Sequence, residues 1–258
     1  MAINLSQLSR PTSGKPIVAT LFGEAGTGKT TLAAMFPRPV FIRTEDGTAS
    51  LDGHPDAMLF PVAKSTHDVF DAIEALATQE HDRKTLVIDS VTQFEKIATR
   101  EILDSETNPK CKSLAAAHGG YGKAYGMLEK RHYELRDACE YLVTDIGMNV
   151  VFIAHATTEK MDLPDMDAYS RYTVQLFKND KTDCQHHYTN NADLVAFIRL
   201  VTNLRGADGG KKRALSDGAR EIICFPVASN VSKNRMGLTQ PVPFDLSGEF
   251  PFQSYVAQ

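Results

Sequence analysis

Gly23-Glu24-Ala25-Gly26-Thr27-Gly28-Lys29-Thr30 satisfies G-x-x-x-x-G-K-[ST] at every fixed position. Glycines in such a loop let the backbone turn closely, so that successive N–H groups point at a phosphate. A lysine at the position of Lys29 reaches the β- and γ-phosphates, and a hydroxyl at the position of Thr30 is placed for Mg2+. The flanking sequence agrees. Residues 16–22 (PIVATLF) form a short apolar run rich in β-branched residues and read as a buried strand. TLAAMF reads as a helix stopped by Pro37, with its positive end at the phosphates. The expected nucleotide-binding residues are Gly23, Glu24, Ala25, Gly26, Thr27, Gly28, Lys29, Thr30 and Thr31.

Outward from the loop, strands and helices alternate. Strands are expected at 40–43, 57–62, 85–88 and 149–154, and helices at 66–78, 91–103 and 124–146, the last closed by Gly147. Such alternation implies a parallel sheet with helices on both faces. After residue 154 the pattern changes: 171–176, 194–201 and 222–227 read as strands that extend the sheet in antiparallel fashion. Residues 108–125 and 157–191 lack periodicity and read as long loops of functional interest. The strand at 85–88 ends in Asp89, a carboxylate expected beside Mg2+, through water; a cap on the helix from Val91 is the lesser reading and compatible with the first.

Composition sets the bounds. The chain has 258 residues, 42% hydrophobic and 23% charged, with a formal net charge of −4. That excludes a disordered tail, a collagen-like fibre and a coiled coil. No apolar run approaches the ~20 residues that span a bilayer, and the N-terminus lacks the apolar core of a secretory signal. The four cysteines are dispersed and form no CxxC, so they read as reduced thiols of a cytoplasmic protein. With a negative net charge, nucleic-acid binding needs a local basic patch. One candidate is Arg205, Lys211, Lys212, Arg213 and Arg220 around GADGG; a solvated hairpin is the equal reading. Another is 157–191, with Lys160, Arg171, Tyr172, Lys178, Lys181 and Tyr188, diluted by five aspartates. A third is His118-Gly119-Gly120-Tyr121-Gly122-Lys123, which also reads as a hinge. Cys184, His186 and His187 are not expected to hold zinc, because adjacent histidines on a strand point apart.

GEAGTGKTTL, FIRTEDG, LVIDSVTQF and VVFIAH together resemble the RecA-like ATPase core. The chain is similar more closely to phage-encoded AAA-type nucleotide-binding proteins found beside phage recombination genes, RecA-like annealing recombinases among them. The resemblance covers about residues 16–236 of one domain spanning 1–258, with 237–258 as an extension. It implies an α/β fold: a P-loop NTPase, RecA-like three-layer α/β/α sandwich with a mostly parallel central sheet, extended by antiparallel C-terminal strands. It implies that Glu45 polarises the attacking water, with Asp46 the neighbour that could substitute, and that Asp89-Ser90 is the family's Asp-Ser pair. It implies that His155 senses the γ-phosphate, and that Lys233 and Arg235 reach the nucleotide of a neighbouring subunit. The catalytic set is thus Lys29, Glu45, Asp89, His155, Lys233 and Arg235, with Thr30 and Asp89 for the metal. The implied cofactors are ATP and Mg2+. The implied partners are single-stranded DNA, further copies of the chain and other phage recombination or replication proteins, in the bacterial host cytoplasm and with no membrane. The Pro-rich end, PVPFDLSGEFPFQSYVAQ, is unlike the helical lid of a standard AAA+ machine. Two other readings stay open: a nucleotide-gated adaptor with little turnover, and a helicase-type motor.

Overall fold

A computed structural model describes residues 14–47, 51–108, 110–205, 213–215 and 218–256. The first strand, β1 (Val18–Gly23), is buried along its whole length. The phosphate loop follows, then a short helix α1 (Lys29–Ala34) and β2 (Pro39–Arg43). Next come β3 (Met58–Leu59), α2 (Thr66–Thr78), β4 (Thr85–Asp89) and α3 (Val91–Asp104). Helix α4 (Lys123–Tyr141) leads to β5 (Asn149–Met161), which pairs back on β6 (Tyr169–Val174). The single turn α5 (His186–Thr189) precedes β7 (Leu194–Leu200). A separate hairpin, β8 (Asn203–Arg205) and β9 (Arg213–Leu215), and strands β10 (Arg220–Ile223), β11 (Lys233–Asn234) and β12 (Val242–Phe244) complete the order.

The main sheet runs β12-β10-β7-β1-β5-β4-β2-β3, with β6 on β5 and β11 on β7. From β7 to β3 every pair is parallel; β10, β11, β12 and β6 are antiparallel. This is the α/β class expected, a mostly parallel sheet flanked by helices. Because a parallel sheet is covered on both faces, its strands are apolar throughout. Alternate residues then feed two cores. Phe22, Ile88, Phe152 and Ala154 face α2, α3 and α4, with Leu128, Leu135 and Phe94 among the contacts. Leu21, Val87, Ile153 and Ala196 face α1 and the C-terminal segment, where Phe252 and Val256 are buried.

Register aligns the strand ends. Gly23 lies opposite His155, Asp89 opposite Ile153, and Arg43 opposite Asp89. The carboxyl ends of β1, β2 and β4 therefore lie level, beside the point where β5 runs on toward Met161, and it is outside such carboxyl ends that ligands of open α/β sheets bind.

Several boundaries differ from expectation. Strand β3 has two residues rather than six. The helix expected over 124–146 ends at Tyr141, and Leu142–Ile146 wind as a π-turn before Gly147 at φ 80°. Strand β7 is parallel to β1, not antiparallel. The expected loop 157–191 contains the second half of β5 and all of β6. β6 is the strand expected at 171–176, set two residues earlier; the half-exposed polar end of β5 that pairs with it was not expected, and Arg171–Glu159 at 2.7 Å and Lys178–Glu159 at 3.6 Å hold the two together.

Candidate nucleotide site

The phosphate loop is closed by its own side chains. Thr27 Oγ1 donates to the Glu24 carbonyl at 2.9 Å. Lys29 Nζ donates to the carbonyls of Gly23 at 3.0 Å and Glu24 at 2.7 Å. Burial pushes the Lys29 ammonium below its ordinary value, and the charges of Asp89, Glu45 and Glu24 work against that shift. The loop backbone needs its glycines in two distinct ways. Gly28 sits at φ 95°, a region L side chains avoid. A Cβ on Gly23 would lie 2.3 Å from the Ile198 carbonyl oxygen, so the neighbouring strand β7 excludes any side chain there. Glu24, Ala25 and Gly26 face solvent, and Thr31 is buried at the start of α1. Helix α1 has six residues, as many as the expected TLAAMF, but starts two residues earlier at Lys29; at that length its dipole adds little to the backbone amides of the loop.

Beside the loop, Thr30 Oγ1 donates to Asp89 Oδ2 at 2.8 Å. Burial raises the Asp89 pKa; the Thr30 bond opposes it, nearby Glu45 adds to it, and Lys29 lowers it. Glu45 follows β2 and turns toward this pair. Its Oε1 accepts from Ser90 Oγ at 3.2 Å and lies 3.7 Å from His155 Nε2. Ser90 Oγ also accepts from the Gln93 amide, so the α3 cap and the acid are fixed together. Thr44 locks the same corner: its Oγ1 donates to the Ser90 carbonyl and accepts from the Ser90 amide. His155 ends the buried part of β5, and its amide donates to Thr92 Oγ1 at 3.0 Å. Asp46 pairs with Arg43 at 3.5 Å, and both line the same cavity as Glu45. Thr30, Glu45 and Asp89 line one cavity of about 200 Å³.

The structure therefore gathers Lys29, Thr30, Glu45, Asp89 and His155. It does not bring Lys233 and Arg235 to them. Asn234 pairs with Leu194 and Arg235 bonds Asp193 at 2.7 Å, at the start of β7. Gly23 pairs with Ile198, five residues farther on, roughly 16 Å along the strand. Lys233 Nζ donates to the Asn190 carbonyl at 2.6 Å, and burial lowers its pKa. Neither cation reaches the phosphate loop of its own chain.

Other expected residues move out of the site. Tyr188 is fully buried, with its hydroxyl on His132, so it offers no face to a base; Tyr172 is half-buried and stacks one face on Phe197. Lys211 and Lys212 lie outside the described residues, as do the side chains of Arg205 and Arg213. Tyr121, by contrast, is 98% exposed. Sequence reasoning missed the C-terminal contact with the loop. A Cβ on Gly28 would lie 2.5 Å from Leu246 Cδ2 and 2.9 Å from Phe244 Cε1, so the segment expected as a mere extension seats directly on the phosphate loop.

A family described as an AAA domain matches residues 15–236. The chain belongs to that family. Membership makes this AAA domain a nucleotide-binding P-loop ATPase domain, in agreement with the sheet and loop just described. No curated protein matches the chain. No helix among the described residues of this AAA domain is long and apolar enough to cross a membrane.

Proposed function

We propose that this AAA domain hydrolyses ATP with Mg2+ and couples the reaction to single-stranded DNA, as a RecA-like annealing recombinase of phage recombination. The observation that carries the ATPase part is the convergence of Lys29, Thr30, Asp89 and Glu45 at one sheet edge. The donor set fits the cofactor: Thr30 hydroxyl and Asp89 carboxylate for Mg2+, Lys29 and loop amides for phosphate oxygens. Held by Thr30 and Asp89, Mg2+ would supply charge neutralisation to the phosphates. Glu45 accepts a proton from the attacking water, held in place by Ser90 and by His155. An adaptor with little turnover would not need an acid so held.

The DNA part rests on the family resemblance and on Tyr121. Its ring is exposed on a backbone at φ 55°, between Gly120 and Gly122, both at positive φ, with Lys123 next. An exposed aromatic beside a cation suits base stacking and a phosphate contact. For assembly we propose that Lys233 and Arg235 act in trans; the reading is supported by their distance along β7 from their own phosphate loop, which rules out the same contact in cis. A cation supplied this way is worth ~10³ to 10⁵ in rate.

The deciding experiment is ATP turnover with and without single-stranded DNA. Turnover that DNA stimulates, and that Tyr121→Ala uncouples from DNA, is expected. Turnover indifferent to DNA sinks the DNA part, and no turnover with tight ATP binding favours the adaptor. Mixing Lys29→Ala with Lys233→Ala/Arg235→Ala protein tests assembly; partial recovery is expected, and no recovery removes the trans role.

A further inference from the structure

The turn at α5 contributes nothing to the nucleotide site, yet it carries an unexplained set of donors. His186 and His187 lie side by side, with ring centroids 3.9 Å apart. With Glu129 of α4 they offer one donor atom each, all within 4.8 Å of one another. Adjacent histidines would diverge on a strand; here a single helical turn brings their rings together.

Two observations point to a ligand. His186 Nδ1 is hydrogen-bonded to the Asp183 carbonyl oxygen. A carbonyl only accepts, so Nδ1 carries the proton and Nε2 keeps its lone pair. A backbone carbonyl on the far nitrogen is how metal-ligating histidines are commonly oriented. His187 is only 7% exposed, and its Nε2 is buried without a hydrogen-bond partner among the described residues. Buried polar atoms are nearly always paired, so this nitrogen lacks a partner that the described chain does not supply.

We propose that Glu129, His186 and His187 form a binding site for a zinc-like divalent transition-metal ion. Two imidazoles and a carboxylate are a zinc donor set, with a fourth position left to water. The ion ties α4 to α5. Through α5 it also steadies β1, because the Tyr188 carbonyl accepts from Thr20 Oγ1 at 2.6 Å, three residues before the phosphate loop. Arg136, close to His187, works against a cation, and the Glu129 carboxylate offsets it. A neighbouring cluster of Glu95, His132 and Cys184 is already satisfied. His132 uses Nδ1 on Tyr188 at 2.7 Å and Nε2 on Glu95 at 3.1 Å, and burial pushes the Cys184 thiol far up.

The test uses full-length protein without a histidine tag, stripped by chelator and titrated with Co2+ in the visible. One ion per chain is expected, with the bands of a four-coordinate site, no thiolate charge-transfer band, and displacement by Zn2+. Zn2+ should also raise the thermal midpoint. Glu129→Gln and His187→Gln should each weaken binding at least tenfold, while Asp89→Asn leaves it unchanged. Glu129 is only half-buried, so Glu129→Gln carries the test if His187→Gln does not fold. The proposal is overturned by absence of stoichiometric binding, by unchanged affinity in Glu129→Gln, by loss in Asp89→Asn, or by a thiolate band that moves the ion to Cys184.

Discussion

The Thr30 hydroxyl donates to Asp89 Oδ2 at 2.8 Å, joining residues 59 positions apart in the chain. Those are the two groups proposed to hold Mg2+, and they are held against each other by β1 and β4 with only β5 between them. Asp89 is placed for function at a cost: its carboxylate is buried close to Glu45, and its pKa is raised accordingly. Replacing it by neutral Asp89→Asn removes the buried charge and keeps an acceptor for Thr30. The variant should unfold at a higher temperature without nucleotide, by an amount within the about 0.5–2 kcal/mol of single stabilising changes, while losing turnover. A lower midpoint in calorimetry would mean that the charge is well compensated in the folded chain.

Lys29 bridges two carbonyls of its own loop and is buried. Lys29→Ala should lose one charge-assisted contact to phosphate oxygens, worth about 2–3 kcal/mol or roughly 100-fold in ATP affinity. Equilibrium binding of a fluorescent ATP analogue checks this, and unchanged affinity contradicts the nucleotide site. Lys29→Arg should not rescue, because a planar fork does not match a slot shaped for one ammonium.

Glu45 and Asp46 are separated by their partners: Ser90 and His155 for one, Arg43 for the other. Glu45→Gln should keep ATP affinity and lower kcat by about 10² or more, as a general base acting in the transition state does. Asp46→Asn should leave kcat within a few-fold. The reverse outcome would place the water on the other acid.

Gly28 touches Leu246 and Phe244 and holds a positive φ. Gly28→Ala should cost about 1–3 kcal/mol from strain and overpacking and weaken ATP binding as the loop shifts. Adding Leu246→Ala should recover part of the stability but not the φ strain. Urea midpoints of the single and double variants decide; strict additivity of the two losses would show that the C-terminal contact is not made in solution.

Among the cysteines, Cys139, Cys184 and Cys224 are buried, and burial pushes the Cys139 thiol up to about 12 and that of Cys224 up to about 11. Thiolate is the reactive form, so these should resist alkylation in the native state. Cys111 is half-buried and should give the one fast phase with a thiol reagent at neutral pH. Cys111→Ser should abolish that phase; a persisting phase would reveal local opening around one of the other three.

By itself, the sequence determined the phosphate loop and the parallel core. Both are written locally: glycines and a lysine at fixed spacing make the loop, and continuous apolar runs make strands buried on two faces. The helices at α2 and α3 were legible for the same reason, because periodicity involves neighbours in the chain, although the cap of α3 is Ser90 and not Asp89. Other features needed the folded chain. That Glu45 meets Ser90 and His155 while Asp46 meets Arg43 depends on residues that arrive from β4 and β5. That Lys233 and Arg235 sit far from their own phosphate loop follows from the antiparallel pairing of β11 at the start of β7. The seating of Leu246 on Gly28, the burial of Tyr188, and the meeting of Glu129 with His186 and His187 are also contacts between distant segments. Side-chain direction at those places is set by packing and strand register, which no local pattern of residues encodes.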